Sequence, residues 1–163
     1  MRSKAIVEAA PASAAANTAP AGCSSLKLRQ LSRRVSQHFD RIVGDAGLKT
    51  TQYSLLSHIT RLGPIRPGEL AAAMEMDPST LTRNLQPLIA NGWVVVGAGG
   101  DGRSRSVEAT DAGRAKRTEA QREWKRAQTA LNERLGAQQV ARLHSVIDEC
   151  LALMNDNEGN HDE

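Results

Sequence analysis

The sequence predicts a mainly α-helical fold with a small β-hairpin, on three observations. Apolar residues recur at spacings of three and four over most of the chain. Aromatic residues make up only 2% of the composition, so Leu, Val, Ile, Ala and Met must build the core. The single stretch with strand character, Trp93-Val94-Val95-Val96, is followed by the glycine-rich run Gly97-Ala98-Gly99-Gly100-Asp101-Gly102 and a second short strand from Arg105 to Ala109. At 163 residues the chain fits one domain with a sizeable core, or a small domain elaborated by helices that need a partner.

Residues 1–22 are rich in Ala, Ser and Pro and lack the continuous apolar stretch of a leader, so a disordered segment is expected there. From Ser24 onward, Leu28, Leu31, Val35, Phe39 and Ile42 lie on one face of a helix that Gly44 and Gly47 end. Its other faces carry Lys27, Arg29, Arg33, Arg34 and Arg41, either as a solvated surface or as phosphate contacts. A second helix, capped by Thr50 or Thr51, runs through Leu55, Leu56, Ile59 and Leu62 to Gly63-Pro64. Pro67 opens a short third helix through Leu70, Ala71 and Met74.

The sharpest helix start is Asp77 as cap with Pro78 in the first turn, followed by Leu81, Leu85 and Leu88 on one face and closed by Asn91-Gly92. After the hairpin, Thr110 caps a helix of about 25 residues, roughly 37 Å long, that Gly136 breaks. The last helix carries a stripe of Val140, Leu143, Ile147, Cys150 and Met154. Residues 155–163 hold four acids and no Lys or Arg, and read as an acidic tail.

This order of helix, short helix, helix and hairpin is the layout of a winged helix-turn-helix, in which the second helix of the turn enters the major groove of double-stranded DNA. On the Pro78 helix the leucines take the buried face, leaving Ser79, Thr80, Thr82, Arg83 and Gln86 outside. Arg83 can donate bidentately to guanine, Gln86 can pair with adenine, and the threonines can meet a thymine methyl or a phosphate. Arg103 at the hairpin tip can enter a minor groove or bind phosphate, and Arg105 can do the same or pair with Asp101.

The long terminal helices cannot bury their stripes on a small lobe alone, so Trp124, Ala127, Leu131 and Leu135, together with the first and last helices, call for a second copy. The organisation expected is therefore a dimerisation helix at 23–49, a DNA-binding lobe at 50–110 and dimerisation helices at 111–154. The formal charge of +3 permits nucleic-acid binding without requiring it. From Pro64 to Thr110 four arginines face five acids, so geometry argues for DNA more strongly than charge does.

Thr50-Thr51-Gln52-Tyr53-Ser54-Leu55-Leu56, Glu69-Leu70-Ala71, the run from Met76 to Leu85 and the closing Thr110-Asp111-Ala112-Gly113 together resemble the multiple antibiotic resistance regulator (MarR) family, over roughly Ser24 to Met154. The resemblance implies a helical dimer made from both chain ends, palindromic operators, usually repression, and often relief by a small aromatic or phenolic ligand. It also implies DNA contacts at Ser79, Thr80, Thr82, Arg83 and Arg103. Gly102 stands where the family's wing commonly has a basic residue, and Ala109 where it has Leu. In the family geometry His38, Arg41, Tyr53 and His58 would line an effector pocket, with Arg41 or a protonated histidine meeting a carboxylate.

Other chemistries find less support in the residues. No nucleophile elbow, HExxH, P-loop or paired-acid spacing suggests an enzyme, and His38, His58, His144 and His161 lack ligand spacing for a metal. No cofactor is expected. Cys23 and Cys150 are the two cysteines. Cys23 falls near the position of a redox-sensing thiol but without an accompanying tyrosine, and Cys150 falls on the apolar stripe as a packed small hydrophobe. With neither a CxxC pair nor a long apolar span, a cytoplasmic protein without membrane contact is expected. The alternative from another class is a winged-helix module whose exposed helix contacts a protein.

Overall fold

The computed structural model describes residues 22–99 and 104–155. The order of elements is α1 (Ser24–Val43), a 3₁₀ turn (Gly44–Ala46), α2 (Thr50–Leu62), α3 (Pro67–Ala73), α4 (Pro78–Ala90), β1 (Val94–Ala98), β2 (Arg105–Ala109), α5 (Asp111–Leu135) and α6 (Ala137–Asn155). Strands β1 and β2 pair antiparallel, with Val94 opposite Ala109 and Val96 opposite Val107. Ile65 adds one bridge to Val107, so the chain between α2 and α3 is tied to the outer side of β2.

Two of the expected helix caps are replaced by other partners. Thr50 is the first residue of α2, not its cap, and its backbone N–H donates to Asp40 Oδ1 of α1 at 2.8 Å. Lys49 precedes the helix, with its N–H satisfied by Gln52 Oε1 at 2.9 Å. The free amides of the α2 N-terminus are thus met partly from another helix, a placement that local sequence does not encode. Asp77 holds the cap position of α4 in extended conformation, yet its side chain makes no capping bond. Pro78 supplies the start instead, through its fixed φ.

Thr110 does cap α5: its Oγ1 accepts from Gly113 N at 3.0 Å and donates to the Gly92 carbonyl at 2.7 Å. One hydroxyl therefore joins the end of α4, the base of the hairpin and the start of the long helix. Gly113 is required by the same junction, since a Cβ there would lie 1.9 Å from the Trp93 carbonyl oxygen. Arg114 completes the tie by donating to the Ala109 carbonyl and to Asp111. Ala109 itself is buried, so the small residue at this position fills the space between hairpin and helices.

One core lies within the lobe. Leu55, Leu56 and Ile59 of α2 meet Leu70 of α3, Leu81, Leu85 and Leu88 of α4, Val94 and Val107 of the hairpin and Ala120 of α5. A smaller cluster of Phe39, Ile42 and Ala127 joins α1 to α5. Trp124 touches both, stacking on Tyr53 at 6.2 Å and lying 6.2 Å from Phe39 between ring centres. The middle of α5 is therefore covered within one chain, where the apolar spacing alone suggested that Trp124 and Ala127 need a partner.

The chain ends differ. Among the described side chains of α6 only Val140 is buried, whereas Val146, Ile147, Leu151, Leu153 and Met154 are exposed, the last two by 68%. Leu26 and Leu28 at the start of α1 and Leu135 at the end of α5 are also exposed. Cys150, expected to be packed, lies exposed on the same uncovered face in the single chain. No helix among the described residues is long and apolar enough to cross a membrane.

Candidate nucleic-acid interface

Helix α4 is held from behind by its leucines: Leu81, Leu85 and Leu88 are buried against α2, α3 and β1. That fixes which face points outward. Ser79, Thr80, Thr82, Arg83 and Gln86 are all exposed on it. The Thr82 hydroxyl donates to the Pro78 carbonyl at 2.8 Å, leaving its methyl and oxygen lone pairs for an incoming group. Arg83 forms no ion pair or hydrogen bond with any of the described residues, which leaves its five donors for an incoming group. Pro87 sits in the interior of α4, a residue the leucine periodicity gives no warning of. It lies close enough to the C-terminus for the helix to end only three residues later.

The turn between α3 and α4 places Glu75 at φ 51°, in the left-handed region, and Met76 N–H bonds back to the Ala71 carbonyl at 2.9 Å. These bonds set the angle at which α4 leaves α3. On the hairpin, Gly99 N donates to the Ser104 carbonyl at 2.7 Å, closing the strands just before the tip. Arg105 is exposed at the end of β2. Arg103, with Asp101 and Gly102, lies outside the described residues. Arg105 is thus the wing cation whose position is given.

The four residues expected to share an effector pocket do not come together. His38 and Arg41 line a groove of about 470 Å³ between α1 and α5, with Leu31, Val35, Leu131 and Leu135 as its apolar walls. The side chain of His38 is anchored there, Nε2–H donating to the Ala127 carbonyl at 2.9 Å. Tyr53 instead is buried, 8% exposed, with its ring stacked on Trp124. His58 lines a separate cavity, and its Nδ1–H donates to the Ser54 carbonyl at 2.9 Å. Helical rotation accounts for the split, because Tyr53 and His58 are five residues apart on α2 and so face different neighbours. Arg34 and Arg134 also line the α1–α5 groove, and nothing in the sequence marks them as pocket residues. Bringing them to one groove needs the crossing of two helices, which periodicity within one helix does not reveal.

Among the described residues no group of three or more His, Cys, Asp or Glu side chains could hold a metal ion. Cys23 is exposed at the start of α1 and Cys150 on α6, each as a free thiol.

Comparison with known proteins agrees with this geometry. Residues 46–104 match the model of the MarR family. The M. tuberculosis transcriptional regulator MosR, solved in complex with DNA, is 31% identical, with 79% of this chain and 98% of that one covered at a TM-score of 0.63. A cysteine-to-serine mutant of MarR from E. coli, complexed with operator DNA, superposes with a TM-score of 0.70 over 78% of this chain and 92% of that one, at 22% identity. A curated relative, the uncharacterized HTH-type transcriptional regulator YwoH of Bacillus subtilis, is 27% identical over 84 residues, and the match spans 52% of this chain and 61% of that one. With an outward helix backed by a leucine core, a two-stranded wing and a relative above 30% identity matched along nearly its whole length, this chain belongs to the MarR family of winged helix-turn-helix regulators.

Proposed function

We propose that the protein is a homodimeric transcriptional regulator that reads palindromic double-stranded DNA through α4 and represses at those sites. The observation that carries this reading is the pair of opposite faces on α4, three leucines locked into the core and five exposed hydrogen-bonding side chains, Arg83 among them. An α-helix so presented fits the major groove, where Arg83 and Gln86 have the donor and acceptor sets for guanine and adenine, and Ser79, Thr80 and Thr82 those for phosphate or a thymine methyl. Arg105, and Arg103 beyond the described residues, supply wing contacts to the backbone or minor groove. MosR and MarR have each been solved with DNA, which supports the same use of the fold here.

The second copy is called for by the chain ends. Leu26 and Leu28 of α1 and Val146, Ile147, Leu151, Leu153 and Met154 of α6 are large apolar side chains left exposed in the single chain, and α6 carries most of them on one helix. Covering each such side chain is worth about 1.5–3 kcal/mol. Two lobes joined in this way would place their α4 helices in successive major grooves about 34 Å apart.

Relief by a small aromatic or phenolic acid belongs to the same proposal, with the α1–α5 groove as its seat. His38 and Arg41 provide polar partners there and the leucines an apolar wall. Tyr53 and His58 take no part in that groove.

The test is binding to operator duplexes selected from random sequence, measured at several salt concentrations. Arg83→Ala is expected to cost about 1–3 kcal/mol on the selected duplex and much less on a scrambled one. Equal losses on both would remove base reading by Arg83. Salt-insensitive binding to a protein, with no affinity for any duplex, would favour an interaction module.

A further inference from the structure

His38 and Arg41 are not the only polar groups of the α1–α5 groove: Arg34 and Arg134 line it too, and no aspartate or glutamate does. None of the three arginines has an ion-pair or hydrogen-bond partner among the described residues, and all three are exposed. His38 is committed to the Ala127 carbonyl at 2.9 Å, so the guanidiniums are the charged donors left for a ligand. Three like charges around one apolar cleft repel one another, weakly at this exposure, and an anion seated among them offsets that repulsion.

The run of the two helices sets where these charges stand. His38 meets Ala127, while Gly47, just past the end of α1, adjoins Lys116, so α1 and α5 are antiparallel. Arg134, in the last turn of α5, therefore comes to the end of the groove that holds Leu31 and Arg34. Arg41 lies two turns beyond Arg34 on the same face of α1, about 10 Å further along at the helical rise. Val35 and Leu131 belong to the apolar wall that runs from one end towards the other. Two cations thus stand at one end of an apolar cleft and a third at the other.

We propose that the ligand of this groove carries an anionic group at each end of an apolar body, one end held by Arg34 and Arg134 and the other by Arg41. Guanidinium groups bind carboxylates through charge-assisted, often bidentate hydrogen bonds, and the apolar wall takes the body between them. A volume of about 470 Å³ with a few polar groups on an apolar lining is of the size and kind that holds a small organic molecule. This inference rests on the α1–α5 groove being the effector seat, and it makes Arg34 and Arg134 the residues that set specificity. A monoacid satisfies one end and leaves the cations at the other without a counter-charge. DNA reading by α4 does not enter into it.

Calorimetric titration of the full-length protein, without DNA, tests it with three probes of one apolar body: biphenyl with a carboxylate at each end, biphenyl with one terminal carboxylate, and the isomeric diacid whose two carboxylates flank the central bond. The end-to-end diacid is expected to bind at one per chain and roughly tenfold or more tighter than the other two, the gain expected for hydrogen bonds between charged groups at a second end. Arg41→Gln, and separately Arg34→Gln with Arg134→Gln, should each bring the diacid down to the affinity of the monoacid. If either variant does not fold, the comparison of the three probes on the parent protein still decides. Equal binding of diacid and monoacid, or of the two isomers, would overturn the two-ended ligand and leave the groove as a seat for monoacids. Diacid binding unchanged in both variants would place the ligand elsewhere and overturn it as well. Binding of none of the three would remove the effector groove itself along with this inference.

Discussion

The reading lobe and the chain ends are both helical and both rich in Leu, Val and Ala, yet one closes its own core and the other does not. In the lobe, eight side chains from α2, α3, α4 and the hairpin, among them Leu55, Leu70 and Val107, are at most 1% exposed. In α6, a 19-residue helix, Val140 is the one buried side chain among those described. Periodicity alone does not separate these cases, since both regions show clean stripes. What separates them is whether the chain folds another element over the stripe. The lobe is thus a unit that positions α4, and the chain ends leave the apolar surface that the proposed dimer would cover.

The largest expected effect comes from breaking the chain ends. Ile147→Glu with Leu151→Glu should convert a particle of twice 17.5 kDa into one of 17.5 kDa in sedimentation at low micromolar concentration. Because the lobe core contains no residue of α6, its cooperative unfolding should survive this change. A parent protein that is already a stable folded monomer would sink the dimer proposal. On the sequence pattern alone, loss of the last helix would be expected to abolish folding, and the closed core of the lobe changes that expectation.

Trp124→Ala attacks the side chain that packs against both core clusters. It removes the ring between Tyr53 and Phe39 and should cost about 3 kcal/mol of stability, while leaving the outward face of α4 chemically intact. Thermal or denaturant unfolding measures the loss. A change below about 0.5 kcal/mol would mean that the two clusters are not coupled through this residue.

Much of this division was legible in the sequence. The Pro78 start, the leucine spacing of α4 and the Thr110 cap with Gly136 at the far end are local signals, and each stands in the structure. The face of α4 follows from them, so the placement of Ser79, Thr80, Thr82, Arg83 and Gln86 outside needed no tertiary information. What stayed hidden depends on distant partners. Asp40 capping α2 and Tyr53 turning inward to Trp124 are set by helix crossings, which no single-helix pattern records.

The smallest effect is expected from the cysteines. Cys23 and Cys150 are exposed free thiols in the single chain, and no tyrosine accompanies Cys23 in sequence. The double Cys→Ser protein should bind its duplex with unchanged affinity before and after peroxide treatment. If peroxide releases the parent from DNA and not the double variant, the redox-sensing alternative replaces this view.

The central claim, that two lobes joined at their chain ends read one palindrome, is tested most directly by the stoichiometry and salt dependence of binding to a selected duplex. The account predicts two chains per duplex, affinity that falls steeply as salt rises, and loss of preference over a scrambled duplex in Arg83→Ala. One chain per duplex, or binding that neither salt nor Arg83→Ala alters, would contradict it.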